Sequence, residues 1–115
     1  MPEKIVVKKL PTVYNVCNQI LREVCKSADA SIAHVEMPLK NKSLLHKHGK
    51  FTEIYYILQG EGILSVGGEK FDVAEETLVE IPPGFPHMLE NTGKIPLKHL
   101  VISVPAFDPN DVIML

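Results

Sequence analysis

From residue 31 to residue 104 the chain breaks into short runs of β-forming residues, separated by glycine, proline and asparagine. Residues 31–37 form the first run, which Pro38 ends. Residues 53–58 form the next, rich in isoleucine and tyrosine, and Gln59-Gly60-Glu61-Gly62 closes it with a turn signal. Residues 63–66 meet Gly67-Gly68, the dipeptide of a tight hairpin, and residues 69–73 are the return strand. Residues 77–81 run into Pro82-Pro83-Gly84, residues 87–90 into Asn91-Thr92-Gly93, and residues 97–104 into Pro105. Short strands at this close, regular spacing predict an all-β sandwich or barrel. Strand alternation puts Glu53, Tyr55 and Ile57 on one face and Ile54, Tyr56 and Leu58 on the other. The second face is apolar too, so it needs cover from another sheet layer or a partner subunit.

The N-terminal region reads in two ways. Val13, Val16, Cys17, Ile20, Leu21, Val24 and Cys25 recur at helical spacing with Thr12 as a candidate N-cap, which predicts a helix within residues 12–26. The same residues also divide into a turn followed by a strand at 20–25, which suits the β-rich remainder. The pattern therefore marks residues 1–29 as an N-terminal arm, 30–105 as the barrel and 106–115 as a tail. That tail carries turn signals in Phe107-Asp108-Pro109-Asn110-Asp111-Val112 and is expected to wrap the surface.

Composition narrows the class of protein. A chain of 115 residues, 45% hydrophobic and 23% charged, fits one globular domain with a single modest core. The net charge is −2 and the lysines are scattered, with no basic face for a nucleic acid. No run approaches the ~20 apolar residues of a membrane helix, and Met1-Pro2-Glu3-Lys4 lacks the features of a secretory signal. Cys17 and Cys25 have no metal-binding spacing and are expected as reduced thiols, so a cytoplasmic location is expected.

The chemistry gathers at a few positions. His46 and His48, one residue apart, point to the same side of an extended chain. Glu53 heads the next strand after a turn, and His87 follows the stiff segment Pro82-Pro83-Gly84-Phe85-Pro86. Three imidazoles and one carboxylate suit a first-row ion such as Fe, Mn, Zn, Ni or Cu; Ca²⁺ and Mg²⁺ prefer mostly oxygen.

These positions form two gapped patterns. His46-x-His48, four residues, Glu53, six residues and Gly60 resemble the first motif of the cupins. Pro82-x-Gly84, two residues, His87, three residues and Asn91 resemble the second. The resemblance spans residues 31–105 and implies a double-stranded β-helix, a jelly-roll barrel preceded by a short N-terminal helical or turn segment. It assigns the metal-ligand roles to His46, His48, Glu53 and His87, with coordination positions left for water or substrate, and it gives Asn91 and the glycines structural roles. Two positions depart from the family pattern: Lys40 and Glu76 stand where each motif usually opens with glycine. Wherever such a turn needs φ > 0, a residue with a Cβ costs about 1–2 kcal/mol.

The resemblance implies a divalent-metal enzyme acting on a small polar substrate, of isomerase, dioxygenase or lyase type. The alternative is a non-catalytic module that binds or senses a metal or small ligand. Tyr55, on the Glu53 face, is the candidate proton or hydrogen-bond donor. His34 and His99 fall on strands outside both motifs and are expected as surface or hydrogen-bonded residues. Arg22 is the sole arginine, so a phosphorylated substrate would depend on Lys40, Lys42, Lys47 or Lys50. The apolar outer face and the habit of small cupins predict a homodimer.

Overall fold

A computed structural model describes residues 2–115. Ten strands are present among the described residues, in two antiparallel five-stranded sheets. The first sheet holds β1 (Ile20–Lys26), β2 (Ser31–Met37), β4 (Thr52–Gln59), β7 (Leu78–Ile81) and β9 (Leu97–Val104), in the order β1-β2-β9-β4-β7. The second holds β3 (His46–Lys47), β5 (Gly62–Val66), β6 (Glu69–Val73), β8 (His87–Asn91) and β10 (Ile113–Met114), in the order β10-β3-β8-β5-β6. From β2 onward the chain passes repeatedly between the sheets, which is the winding of a double-stranded β-helix.

Alternation decides what lies between the sheets. Glu53, Tyr55 and Ile57 of β4, Leu64 and Val66 of β5, and His87 and Leu89 of β8 are all buried. Val35, Met37, Val73, Ile81 and Leu97 complete the apolar core. Side chains as fully enclosed as Leu64 or Leu89 contribute roughly 1.5–3 kcal/mol each by leaving water. On the opposite face of β4, Ile54 and Tyr56 are half-buried and Leu58 is exposed.

The helix over residues 12–26 does not form. Among the described residues, helical structure is limited to a single 3-10 turn at Val7–Lys9, upstream of that region. The Val13 N–H donates to the Leu21 carbonyl at 2.8 Å, so the segment folds back on itself. The Asn15 side chain closes the intervening loop, accepting from the Cys17 and Gln19 N–H groups and donating to the Gln19 carbonyl. Ile20–Lys26 then pairs with β2, so the first sheet begins at Ile20, upstream of the residue-30 boundary. Pairing satisfies the backbone groups of β2 that would otherwise form a bare edge. In this arrangement Val13 and Val16 are both exposed.

Three turns share one geometry. In Pro38–Asn41, Ala74–Thr77 and Pro82–Phe85 the fourth residue donates its N–H to the first carbonyl, and the third residue has positive φ. Those third residues are Lys40 (φ 65°), Glu76 (φ 63°) and Gly84 (φ 85°). Glycine suits that position because it has no Cβ to clash. Lys40 and Glu76, the two departures from the family pattern, thus sit where the left-handed conformation is required. Asn91 ties neighbouring loops together, its amide donating to the carbonyls of Met37, Pro38 and Ile95 while its oxygen accepts from the Gly93 N–H.

Candidate metal centre

The turns and strands deliver four side chains to one place. The donor atoms of His46, His48, Glu53 and His87 all lie within 4.8 Å of one another, with only His46 partly exposed. His46 of β3 is directly opposite His87 of β8, and their ring centroids are 4.3 Å apart. Glu53 arrives on the neighbouring sheet through its inward position on β4. The Gly84 N–H at the centre of the proline turn donates to the His48 carbonyl at 2.6 Å, joining the segments that carry His48 and His87.

Each of the three imidazoles has the same anchor. His46 Nδ1 lies 2.7 Å from the Leu44 carbonyl, His48 Nδ1 2.7 Å from the Asp111 carbonyl, and His87 Nδ1 3.0 Å from the Phe85 carbonyl. A carbonyl oxygen can only accept, so each Nδ1 carries the hydrogen and donates it. The neutral ring then presents its lone pair at Nε2, as a metal ligand must. His87 Nε2 and His48 Nε2 lie 2.9 and 3.2 Å from Glu53 Oε1. Two donors placed about 2.1 Å from one ion and at right angles would be about 3 Å apart, so the spacing fits a shared cation. The residues present fit a divalent first-row ion in donor type, tautomer and spacing.

A proton competes with a cation for these donors. Burial alone would raise the Glu53 carboxyl, but hydrogen bonds and charge interaction with His48 and His87 outweigh it and push the group down to about 2. Burial lowers His46. At His48 burial opposes protonation, yet the contact with Glu53 prevails and raises the group. Burial, reinforced by the Glu53 charge, pushes the Tyr55 hydroxyl well above its ordinary value, so it keeps its proton. The Tyr55 ring meets His87 edge-on at 5.9 Å between centroids.

Two aromatic side chains and one carboxylate complete the surroundings. The Phe51 ring stacks on His48 at 4.5 Å, and Phe107 from the C-terminal tail meets both rings edge-on. The Asp111 carboxylate accepts from the Gly49 and Lys50 N–H groups, which hold it below its usual range. Phe51 lies within the first motif, but nothing local in the sequence signals Asp111, whose partners are more than sixty residues away.

His34 and His99 do not join the cluster. The expectation of a surface or hydrogen-bonded role fails for His99, which is 3% exposed and stacks on Tyr55 at 5.2 Å. Its Nδ1 has no hydrogen-bond partner among the described residues, and the same holds for His34 Nδ1. His99 shares strand parity with Leu97, a signal in the sequence that it faces inward.

Comparison with known proteins agrees with this architecture. The family described as the cupin domain matches residues 33–103, and the chain belongs to it. An uncharacterised protein of Methanocaldococcus jannaschii is 42% identical over 88 residues, which cover 76% of this chain and 70% of that protein. An oxalate-binding protein of Thermotoga maritima is 33% identical over 72 residues, covering 63% of this chain and 60% of that protein. Among solved structures, a predicted oxalate decarboxylase from Thermotoga maritima superposes with a TM-score of 0.81 at 23% identity, covering 90% of this chain and 99% of that one.

Proposed function

We propose that this cupin binds one divalent transition-metal ion through His46, His48, Glu53 and His87, and uses it on a small substrate that coordinates through oxygen. The anchoring of all three Nδ1 atoms on carbonyls, with Nε2 of His48 and His87 left to face Glu53, carries this reading. A bound ion with vacant positions would supply Lewis acidity toward a substrate oxygen. The chain's own groups set the preference. A divalent ion beside one carboxylate and three neutral imidazoles leaves a net charge of about +1 in a buried site, which favours an anionic oxygen ligand. Tyr55 keeps its proton and is assigned as hydrogen-bond donor to that ligand. A dicarboxylate of oxalate size is the first candidate, on these grounds and on the likeness to an oxalate-binding protein.

That same relative supports a second reading, in which the site binds or senses its ligand without turning it over. The two readings separate when the metal-loaded protein is titrated with oxalate by calorimetry and the mixture is assayed for product. Saturable heat with product supports the enzyme, and saturable heat with oxalate recovered unchanged supports the binder. Absence of heat for oxalate and for related dicarboxylates contradicts the proposed ligand class. The apolar side chains on the outer face of the first sheet, Ile54, Tyr56 and Leu58, support a homodimer, which calibrated sizing tests. No helix among the described residues is long and apolar enough to cross a membrane. Two cysteines free of disulfide are consistent with the cytoplasm.

A further inference from the structure

The segment after β9 lies beyond the stretch matched by the family, which ends at residue 103. It nevertheless reaches the donor cluster by two routes. The Asp111 carbonyl accepts the Nδ1 hydrogen of His48 at 2.7 Å. The Asp111 carboxylate holds the next two residues of that loop, accepting from Gly49 N–H at 2.9 and 3.0 Å on its two oxygens and from Lys50 N–H at 2.7 Å. One residue thus fixes both the ring of His48 and the backbone that follows it.

Asp111 is itself secured. Its N–H donates to the Asp108 carbonyl at 3.0 Å, Ile113 and Met114 pair with Lys47 and His46, and Leu115 N–H donates to the Leu45 carbonyl at 3.2 Å. At the other end of the segment, Phe107 N–H donates to Ser31 Oγ at 2.9 Å while its ring meets His48 and Phe51. The tail therefore lies along the strand that bears His46 and clamps the loop that bears His48.

We infer that Asp111 is a positioning residue for the metal ligand His48, and that ion binding and docking of the segment 107–115 are coupled. The inference rests on the metal-binding reading above. It extends that reading to a part of the chain the family pattern does not include. Partners that orient a ligating imidazole commonly change metal affinity 10–100-fold when removed. Coupling is reciprocal: whatever the docked tail adds to ion affinity, the ion adds to tail docking. A purely structural role would lower the stability of the fold and leave affinity for the ion unchanged.

The test uses the full chain with Co²⁺ as probe, because its visible absorption reports the ligand geometry. Asp111→Ala keeps the backbone carbonyl that holds His48 but removes the carboxylate that holds Gly49 and Lys50. It is expected to bind Co²⁺ about tenfold more weakly, the low end of the range for an orienting partner, with an altered visible spectrum. Asp111→Asn, whose amide oxygen can still accept from the loop, is expected to recover part of both. Binding within twofold of the parent with an unchanged spectrum in Asp111→Ala would overturn the inference. A second measurement needs no variant. Amide exchange of the unmutated protein with Co²⁺ and with chelator should show the Asp111 and Leu115 amides slowed more than those of the β5–β6 hairpin. Equal slowing everywhere would mean only general stabilisation and would also overturn it. Failure of the unmutated chain to bind Co²⁺ would instead remove the metal-binding reading itself.

Discussion

The barrel contains two sets of histidines, and the difference between them lies in the atom at Nδ1. His46, His48 and His87 each donate from Nδ1 to a backbone carbonyl, so each is fixed in rotation, and His48 and His87 present Nε2 to Glu53. His99 is just as deeply enclosed, yet its Nδ1 has no partner among the described residues and its ring stacks on Tyr55. Burial alone therefore does not mark a ligand. A histidine suited to be a ligand is one whose far nitrogen is occupied, which fixes the tautomer and leaves Nε2 for an ion, as at His48, where Nε2 is buried with no hydrogen-bond partner among the described residues. The anchoring carbonyls belong to Leu44, Phe85 and Asp111, all outside the strands, and His48 itself lies in the loop after β3. The loops thus contribute as much to the site as the sheets do.

The contrast can be broken most forcefully by exchanging the two sets. His87→Ala is expected to weaken metal binding by more than about 100-fold, beyond the range for an orienting partner. His99→Gln should leave affinity within about twofold, as equilibrium titration against a competing chelator will show. Comparable losses in both would erase the distinction.

Acid should separate the sets next. Burial pushes His99 down to about 3, so the fold holds it neutral while the unfolded chain protonates it near 6.5. The stability this contributes is fully present above pH 6.5 and is lost progressively as the pH falls toward 3. The slope is at most about 1.4 kcal/mol per pH unit. Urea unfolding of His99→Gln should therefore show a shallower loss on acidification between pH 6.5 and 5 than the parent. Parallel slopes would show that His99 titrates alike in both states.

The shared turn geometry gives the two smaller effects, with opposite signs. Gly84→Ala places a Cβ at φ 85°, where nothing else crowds it, so the cost is conformational, about 1–2 kcal/mol. Because this turn leads to the Phe85 carbonyl that holds His87, metal affinity should fall along with thermal stability. Glu76→Gly relieves the same strain in a turn away from the cluster. It should stabilise the fold by about 1 kcal/mol with affinity unchanged. Destabilisation by Glu76→Gly in thermal unfolding would show that its side chain contributes more than its backbone strain removes.

Much of this was legible in the chain. Strand alternation, glycine and proline punctuation and the two gapped motifs located the barrel and brought His46, His48, Glu53 and His87 to attention. The replaced glycines at Lys40 and Glu76 marked turns that do adopt positive φ. Residues 12–26 were ambiguous because their apolar positions satisfy a helical period, and only the pairing of Ile20–Lys26 with β2 decides for strand. The Nδ1 anchors could not be read at all. Leu44 and Phe85 act through carbonyls that any residue possesses, and Asp111 meets His48 only after the chain has closed over sixty-three residues. Side-chain chemistry leaves a pattern in sequence, whereas backbone groups brought together by folding do not.

The most direct test of the account is metal stoichiometry by elemental analysis after loading and gel filtration, with the parent beside His46→Ala and His87→Ala. The account predicts about one divalent transition-metal ion per chain in the parent, as four converging donors require, and little in either variant. A parent chain that retains no ion from Fe, Mn, Zn, Ni or Cu, or variants that retain as much as the parent, would contradict it.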